Sequence, residues 1–216
     1  MNIDITTSEN KYGRYAVPQN SSWRIAAKTI LAGEVYEPDT IKYIIDNCAD
    51  GSIIHAGTYF GDFLPALSTY CKKTVFGFEP NSENYKCAIM TCDLNNCKNI
   101  ILKHKALGDC RKKVKLKVKH NNQSLGGLSK IVETAEIDTE EVVQITINDA
   151  VPDTCPISIL HLDLEGYELK AICGATNLIK KWKPIIIIED NHADYNQLKN
   201  LGYTYEKKLH NNLVWK

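Results

Sequence analysis

The sequence predicts an α/β fold in which a mostly parallel sheet carries helices on both faces. Apolar runs of strand length alternate along the chain with segments that are apolar at helical spacing. The run 184–188 is continuously apolar, as is typical of a central parallel strand buried on both faces. Two final strands, 203–209 and 213–216, flank His210-Asn-Asn212 and predict a hairpin that adds one antiparallel strand.

Length and composition favour one domain with a modest appendage, since 216 residues with 44% hydrophobic content can bury a proper core. The formal net charge is zero, which gives no electrostatic footprint for nucleic acid or an anionic membrane. The N-terminus lacks a basic start followed by an apolar run, and no stretch approaches the roughly 18 apolar residues of a membrane span. We therefore expect a cytoplasmic protein without nucleic-acid or membrane partners.

Residues 1–50 precede the first core strand and form the predicted appendage, while 51–216 form the main domain. We expect an irregular arm with a short helix around 22–31, then a helix packed on the sheet. Either the arm is a structural cap, or it is a lid over the site. In the second case its candidate contacts are Tyr12, Arg14, Tyr15 and Trp23.

The stretch 52–65 predicts a strand, a glycine turn and a helix. Residues 52–56 are small or apolar, Gly57 to Gly61 make a tight turn, and Asp62 is expected to cap a helix that tolerates Pro65 in its first turn. Glycine is favoured at both ends of the turn because a Cβ would keep a ligand from the backbone or the helix from the sheet. This arrangement is typical of a nucleotide-binding corner.

The residue that follows the next apolar run is Glu79, and 79 − 57 = 22 residues separate it from Gly57. A carboxylate about 20 residues after the glycine turn meets an adenosine ribose in such units. Dinucleotides and S-adenosylmethionine both carry that ribose. The turn lacks the third glycine of the dinucleotide fingerprint, and Asp62 would repel a pyrophosphate at the helix N-terminus. S-adenosylmethionine, with its cationic sulfonium, is therefore the better ligand for this turn.

The remaining elements follow from the same patterns. The predicted segments are a helix at 62–70, a strand ending at Glu79, a helix from 80 to 95, a strand at 99–103, a loop at 106–109, strands at 111–119, 142–147 and 157–162, and a helix at 169–181. The strand 111–119 alternates apolar residues with lysines, which indicates either a solvated sheet face or a patch that attracts an anionic group.

Several of these segments resemble the successive motifs of the FkbM-type S-adenosylmethionine-dependent methyltransferases. The matching segments are HAGTYFGDFLPAL, VFGFEPNSENY, KALGDCRKKVKL, ILHLDLEGYELKAICGATNLIKKWKPIIIIED and NNLVW. The resemblance covers about residues 50–216 and implies a Rossmann-like class I methyltransferase fold, with a seven-stranded, mostly parallel sheet and one antiparallel strand. It also implies a catalytic domain at 51–216, S-adenosyl-L-methionine as cofactor, and methylation of hydroxyl oxygens of sugars or polyketide-like small molecules.

The resemblance also implies a set of cofactor contacts. They are His55, Gly57, Thr58, Tyr59, Gly61, Asp62, Glu79, Pro80, Asn81, Ala106, Leu107 and Asp163. Two positions depart from the family pattern, since the family usually carries an acidic residue at the position of His55 and Asn at that of Tyr59. Both lie where the methionine part of the cofactor is expected.

Three acidic residues are the catalytic candidates. Asp163 ends an apolar strand, Glu165 follows it, and Glu189 ends the next strand, so their side chains should meet at the carboxyl edge of the sheet. An alcohol needs its proton drawn away before it attacks, which calls for a general base or a metal. Asp163 is the first candidate base, with Glu189 or His192 assisting, or Asp163 and Glu189 hold a divalent ion through oxygen ligands. His161 is interpreted as a satisfied core histidine.

The polar loop 120–129 is the candidate acceptor site. Its hydrogen-bonding side chains suit a polyol, and a similar loop lies by the active site in the family, although an exposed turn would have the same composition. The tentative substrate contacts are Asn121, Asn122, Ser124 and His192.

Two other functions compete with methyl transfer. A nicotinamide-dependent oxidoreductase is disfavoured by the missing third glycine, by Asp62 and by the absence of a Tyr-x-x-x-Lys pair. A non-catalytic S-adenosylmethionine- or nucleoside-binding module is favoured by the departures at His55 and Tyr59. A nucleic-acid methyltransferase is expected to show net positive charge or an Asn/Asp-Pro-Pro-aromatic motif, and the sequence has neither.

Overall fold

The computed structural model describes residues 3–121, 123–132 and 137–216. Within these ranges the strands are β1 (Ile5–Asn10), β2 (Gly13–Pro18), β3 (Ser52–Ala56), β4 (Val75–Phe78), β5 (Ile100–Lys103), β6 (Ala106–Leu107), β7 (Lys112–Lys117), β8 (Lys119–His120), β9 (Gln123–Ser124), β10 (Lys130–Val132), β11 (Thr139–Ile145), β12 (Ile157–Leu162), β13 (Ile185–Glu189), β14 (Tyr205–Leu209) and β15 (Asn212–Trp215). The α-helices are α1 (Ile25–Leu31), α2 (Pro38–Asn47), α3 (Leu64–Tyr70), α4 (Ser82–Leu94), α5 (Ile147–Ala150), α6 (Glu168–Cys173), α7 (Thr176–Trp182) and α8 (Asn196–Asn200).

The main sheet has seven strands in the order β14-β15-β13-β12-β3-β4-β5. Its central pairs, from β13 through β12 and β3 to β4 and β5, are parallel. β15 is antiparallel to both of its neighbours. The prediction of a mostly parallel seven-stranded sheet with one antiparallel strand is confirmed.

Helices cover both faces of this sheet, as predicted. Alternate residues along a strand face opposite sides, so Ile159 and Ile187 pack with α2 and α3. Leu160 and Ile186 face the other way and pack with α6 and α7. Both layers are fully buried, which explains the continuously apolar run at the start of β13.

A second sheet of four strands, in the order β10-β7-β11-β6, lies beside the main one. The alternating lysine strand was predicted, and its two faces are as expected: Val114 and Leu116 are buried while Lys113 and Lys115 are exposed. The prediction of a loop at 106–109 is wrong at its start, because Ala106 and Leu107 form β6 and pair in parallel with β11.

The predicted helix 169–181 is two helices, α6 and α7, with a break at Gly174 and Ala175. A Cβ on Gly174 would lie 2.1 Å from the carbonyl oxygen of Gly108, so the chain turns where it meets the end of β6. Helical periodicity continues across the break, and the sequence pattern therefore cannot reveal it.

Residues 5–18 form a β-hairpin rather than an irregular arm. β1 and β2 pair antiparallel, and the predicted helix follows at α1, although it begins at Ile25. The hairpin is attached to α4, because the Ala16 amide donates to Thr91 Oγ1 at 3.0 Å and the Arg14 amide donates to Asn95 Oδ1 at 2.8 Å. No helix in the described part of the chain is long and apolar enough to cross a membrane.

Candidate active site

A row of polar residues crosses the main sheet at the carboxyl ends of its strands. The register pairs Gly77, His55, His161 and Ile187 across neighbouring strands. Side chains two residues further along a strand point to the same face of the sheet. The next row on that face therefore lies just past the carboxyl ends of the strands. That row is Glu79, Gly57, Asp163, Glu189 and Asn212, the last of which pairs with Glu189.

A cavity of about 290 Å³ opens above this row. Its lining residues are Arg24, Ile25, Ala26, Tyr36, Glu37, His55, Gly57, Tyr59, Asp62, Phe63, Glu79, Gly127, Leu128, His161, Asp163, Glu165, Glu189, Asn211 and Asn212. A smaller adjoining cavity of about 30 Å³ shares Gly57, Glu79, Gly127, Asp163 and Glu165 with it. The residues lining only the smaller cavity are mostly apolar: Pro80, Ala106, Leu107, Leu116, Ser129, Ile131, Leu164 and Tyr167.

The two glycines of the turn are required by close packing. Gly57 has φ +85°, and a Cβ there would lie 1.9 Å from the carbonyl oxygen of Asp163. Gly61 has φ +88°, and its Cβ would press on Ala88 and Thr91 of α4 at 3.3 Å. Gly57 thus lets two strand ends meet, and Gly61 lets the turn meet a helix. The helix begins later than predicted, at Leu64, and Asp62 does not cap it.

Glu79 is buried and held by hydrogen bonds from three residues. The Tyr59 amide donates to Oε2 at 2.8 Å, and the Asn81 amide and Asn84 Nδ2 donate to Oε1 at 2.9 and 3.5 Å. Burial raises the pKa of Glu79 to about 8, while the backbone amides of Asn81 and Tyr59 act to lower it. The carboxylate is therefore fixed in position between the two cavities.

Asp163, Glu165 and Glu189 form a second acidic group, whose carboxylate oxygens lie within 4.8 Å of one another. Burial, followed by Glu189 and Glu165, raises the pKa of Asp163 well above its usual value. Burial and the neighbouring Glu189 raise the pKa of Glu165 to about 7. The three carboxylates could hold one divalent cation through oxygen ligands, and they would equally favour an organic cation.

Glu168, by contrast, supports the loop between β12 and α6. It is fully buried and its Oε1 accepts hydrogen bonds from the Leu164 and Gly166 amides at 2.8 and 3.2 Å. Oε2 accepts from Asn191 Nδ2. This agrees with a structural role and explains how the turn that carries Glu165 at φ +53° is held.

A third acidic group is the pair Asp62 and Glu37, which lies on the side of the cavity formed by α2 and α3. Burial and the charge of Glu37 raise the pKa of Asp62 to about 7. Glu37 accepts a hydrogen bond from Asn212 Nδ2 at 2.6 Å, and burial raises its pKa as well. Asn212 thereby connects this pair to the end of the polar row.

His55 and His161 form a hydrogen-bonded pair in the row directly below the carboxylates. Their Nδ1 atoms are 2.9 Å apart and their ring planes differ by 3°, while Phe63 packs parallel to both rings. One Nδ1 must donate and the other accept, so the two rings have complementary tautomers when neutral. Neither Nε2 has a partner among the described residues, although each side chain is 2% exposed.

Burial keeps this pair neutral. It lowers the pKa of His161 to about 4, with the side chain of Asn212 acting to raise it. Burial and the neighbouring His161 lower the pKa of His55 well below its usual value. His161 is buried as expected, but its interpretation as a satisfied core histidine is wrong, because its Nε2 lacks a partner in the described structure.

The N-terminal segment forms one wall of the cavity. Arg24, Ile25, Ala26, Tyr36 and Glu37 all line it. Arg24 donates from Nε and Nη2 to the Leu125 carbonyl oxygen at 2.9 and 2.8 Å, and its guanidinium lies over the Trp23 ring. None of these contacts is to an acidic side chain.

Comparison with known proteins identifies the family. Residues 55–210 match the family model described as the methyltransferase FkbM domain. The chain belongs to this family. The resemblance of the sequence motifs to FkbM-type methyltransferases is thereby confirmed. None of the curated proteins gives a significant match.

Two solved structures share the fold of this FkbM-family chain. A methyltransferase FkbM from Methylobacillus flagellatus KT is 18% identical, with a TM-score of 0.54 over 77% of this chain and 43% of that one. The tRNA (uracil-54, C5)-methyltransferase of Pyrococcus abyssi, in complex with S-adenosyl-L-homocysteine, is 10% identical, with a TM-score of 0.53 over 100% of this chain and 44% of that one. This chain thus spans less than half the length of either protein, and the similarity establishes the class I methyltransferase fold.

Most of the predicted site residues of the FkbM-family chain lie in the two cavities. They are His55, Gly57, Tyr59, Asp62, Glu79, Pro80, Ala106, Leu107, Asp163, Glu165 and Glu189. Three predicted cofactor contacts lie behind the cavity wall. Thr58 is fully buried, Gly61 packs on α4, and Asn81 caps α4 by accepting from the Glu83 and Asn84 amides.

The predicted acceptor contacts that the structure describes do not line either cavity. Asn121 is exposed at φ +50°, His192 is exposed beside Asp190, and Ser124 Oγ accepts from the Gly126 amide at 3.2 Å. Asn122 lies outside the described residues. The loop reaches the cavity later, at Gly127 and Leu128, where a short 3₁₀ helix follows Ser124.

The residues predicted for an N-terminal lid also lie away from the cavity lining. Neither cavity is lined by Tyr12, Arg14, Tyr15 or Trp23. Tyr15, in β2 of the hairpin, is fully buried. Arg24 and Ile25, next to Trp23, take that place. The sequence signals that could have found the missed wall are the Trp23-Arg24 pair before a helix and the Asn211-Asn212 turn after an acidic strand end.

Proposed function

We propose that this protein transfers a methyl group from S-adenosyl-L-methionine to a hydroxyl oxygen of a small acceptor, a sugar or glycan. The observation that carries the proposal is the polar row itself. Carboxylates end three of the central strands around Gly57, and no lysine, arginine or histidine among the described residues pairs with them. Carboxylates gathered in this way favour a cationic guest.

The residues at the turn fit the adenosine half of such a cofactor. Glu79 lies between the cavities with both oxygens fixed, and each oxygen keeps capacity to accept from a ribose hydroxyl. The smaller cavity beyond it is lined by Pro80, Leu107 and Ile131, which suit a flat aromatic base. Gly57 lines both cavities, so its backbone can contact the ligand directly.

The residues on the other side of Gly57 fit the charged half. Asp163, Glu165 and Glu189 surround the space where a sulfonium and an ammonium would be stabilised. Bound S-adenosylmethionine supplies an electrophilic methyl group. We assign Asp163 as the base that accepts the proton of the acceptor hydroxyl, since it ends a central strand beside Gly57 and since burial and its acidic neighbours raise its pKa well above the usual value, which makes it a stronger base.

A divalent ion on the same three carboxylates is the alternative way to activate the hydroxyl. Oxygen ligands of this kind suit Mg²⁺ or Mn²⁺. Protein treated with EDTA should keep its full rate if Asp163 is the base. Recovery of a lost rate by added Mg²⁺ would favour the metal instead.

We also propose that residues 1–50 act as the acceptor-side wall of the catalytic domain at 51–216. Arg24, Ile25 and Glu37 line the large cavity and not the smaller one, which we assign to the adenine. The Ser21 hydroxyl is 2.8 Å from that of Tyr59, so the wall is joined to the glycine turn. Closure over the cofactor would exclude water from the reacting atoms.

Calorimetric titration with S-adenosylmethionine, S-adenosylhomocysteine and NAD in parallel tests the proposal. We expect the first two to bind and NAD not to bind. Binding should then be followed by transfer of labelled methyl from S-adenosylmethionine to members of a sugar panel. Tight binding without transfer to any hydroxylated acceptor would support a non-catalytic binding module, which the change at His55 favours.

A further inference from the structure

The large cavity contains far more negative than positive charge. Six carboxylates line it: Glu37, Asp62, Glu79, Asp163, Glu165 and Glu189. Arg24 is the one lysine or arginine among its lining residues in the described chain. S-adenosylmethionine, with its sulfonium, ammonium and carboxylate, brings one net positive charge. The cofactor of the proposed function therefore compensates only part of this acidic group, and the remaining carboxyl groups hold either protons or a further cation.

Arg24 does not remove this imbalance. Its guanidinium is 4.2 Å from the centre of the Trp23 ring and donates to the Leu125 carbonyl oxygen through two of its nitrogens. No ion pair between Arg24 and a carboxylate is present in the described residues. Its charge reaches Glu165 only at longer range, where it acts to lower the pKa.

The acidic groups are also too widely distributed for one ammonium. Asp163 and Glu189 lie at successive strand ends beyond Gly57, on the side away from Glu79. Asp62 and Glu37 lie on the side of α2 and α3. The single ammonium of the cofactor can contact one of these groups, which leaves the other for a second cation.

A separate observation indicates that a polar ligand completes the site. His55 Nε2 and His161 Nε2 are buried without partners, and both residues line the same cavity in the row below the carboxylates. Buried polar atoms in folded proteins are almost always hydrogen-bonded. Because the tautomers are complementary, the pair offers one donor and one acceptor, which matches a hydroxyl group.

We propose that the acceptor carries a positively charged amino group next to the hydroxyl that is methylated, as an amino sugar or amino alcohol does. This inference rests on the proposed function. The ammonium of the cofactor then lies with Asp62 and Glu37, Glu165 and Glu189 hold the ammonium of the acceptor, and Asp163 accepts the hydroxyl proton. The oxygen takes the methyl group, the C–S bond breaks with its electrons on sulfur, and the proton leaves on Asp163. Acceptors that carry phosphate or carboxylate, nucleic acids included, are excluded by repulsion.

Matched acceptors test this inference. D-Glucosamine, D-glucose, N-acetyl-D-glucosamine and D-glucose 6-phosphate differ mainly in charge, and the corresponding galactose series extends the set. Each is titrated at pH 7, where the amine is mostly protonated, into the protein saturated with S-adenosylhomocysteine. Methyl transfer to each is assayed separately with S-adenosylmethionine as donor. We expect every amine that binds to do so at least tenfold more tightly than its neutral and N-acetylated partners, and the phosphate not to bind.

Two variants locate the effect. Glu165→Gln should reduce the preference for the amine to less than threefold while S-adenosylhomocysteine still binds. Glu141→Gln, which changes an exposed carboxylate paired with Lys113 in the second sheet, should leave the preference unchanged. Circular dichroism of both variants checks that the fold is intact.

The outcomes separate this inference from the proposed function. If S-adenosylhomocysteine does not bind, the proposed function fails. If it binds and neutral, N-acetylated or phosphorylated sugars are preferred, or no amine binds, only the inference is overturned. Micromolar binding of Mg²⁺ or Mn²⁺ that is lost in Glu165→Gln would also overturn it, because the carboxylates would then hold a metal.

Discussion

The carboxylates on the two sides of Gly57, buried at Glu79 and half-buried at Asp163, Glu165 and Glu189, have opposite hydrogen-bonding environments. Glu79 accepts hydrogen bonds from two backbone amides and a side-chain amide. Asp163 and Glu165 accept none from the described residues, and Glu189 accepts only one, from Asn211 Nδ2 at 3.2 Å. The protein therefore supplies the partners of one carboxylate itself, while a ligand must supply those of the others.

This difference separates positioning from charge stabilisation. A carboxylate held by backbone donors has a fixed geometry and suits recognition of a neutral diol. Carboxylates that repel one another in a buried site store unfavourable energy, which a cation relieves when it binds. The two halves of the site should respond differently to mutation and to pH.

The largest effect is expected from Asp163→Asn. Removal of a general base typically costs 10²- to 10⁴-fold in rate, whereas Asn preserves the shape of the side chain. We expect turnover to fall within that range and the affinity for S-adenosylmethionine to change much less. Labelled-methyl transfer and calorimetry measure the two quantities. Full activity in this variant would remove Asp163 from the mechanism.

A smaller effect is expected from Glu79→Ala. The substitution removes charge-assisted contacts to the ribose, worth about 1.5–3 kcal/mol, or roughly 10- to 150-fold in Kd. Since Glu79 also binds the Tyr59 and Asn81 amides, thermal unfolding must be compared with that of Glu141→Gln. Unchanged affinity for S-adenosylhomocysteine in a folded variant would disprove the ribose assignment.

The pH dependence of cofactor binding sharpens the comparison further. Burial is the main cause, and neighbouring acidic residues the second, that raise the pKa of both Glu165 and Asp62 to about 7. A cation binds the ionised forms, so affinity should rise between pH 6 and 8 by up to about tenfold per pH unit for each linked proton. Calorimetry in buffers of different ionisation enthalpy detects the released protons. A flat profile without proton release would contradict the acidic cluster as the cation site.

The stability of the ligand-free protein should change with pH in the opposite direction. The pKa of each of these carboxyls is raised in the folded state above unfolded values of 4.5 for Glu and 3.8 for Asp. Their contribution to the free energy of unfolding is therefore fully present below those values and is lost as the pH rises through about 7.

The smallest effect at neutral pH is expected from the histidine pair. Burial lowers the pKa of His161 to about 4, so its contribution to stability is present above 6.5 and lost as the pH falls towards 4. In urea denaturation, His161→Gln should flatten the dependence of unfolding free energy on pH between 6.5 and 4. A slope in this variant equal to that of the wild type would show that the pair does not titrate on unfolding.

Patterns of local sequence predicted the elements that hold the site. The strand at 52–56 and the helix after Asn81 were predicted nearly to the residue, because an apolar run and a cap are local signals. The position of Glu79 followed from spacing alone. These features depend on neighbours in the chain, and the sequence displays them directly.

Features that depend on distant contacts were not predictable. Tyr15 was proposed for the lid, but it is buried. The prediction failed because no local pattern shows that β2 packs against Thr91 and Asn95 of α4. His161 resembles a core histidine until its contact with His55 on the neighbouring strand is known. The wall formed by Arg24 likewise depends on how residues 1–50 fold back over the sheet.

The wall of the cavity and the glycine turn are encoded in separate stretches of the chain. Arg24 and Ile25 precede residue 55, where the match to the FkbM methyltransferase domain begins. On the proposed function, substitutions there would alter the acceptor side without changing the residues around Gly57 and Glu79. Evolution can thus change the specificity of such an enzyme by replacing its leading segment, and an engineer can do the same by exchanging that segment between homologues.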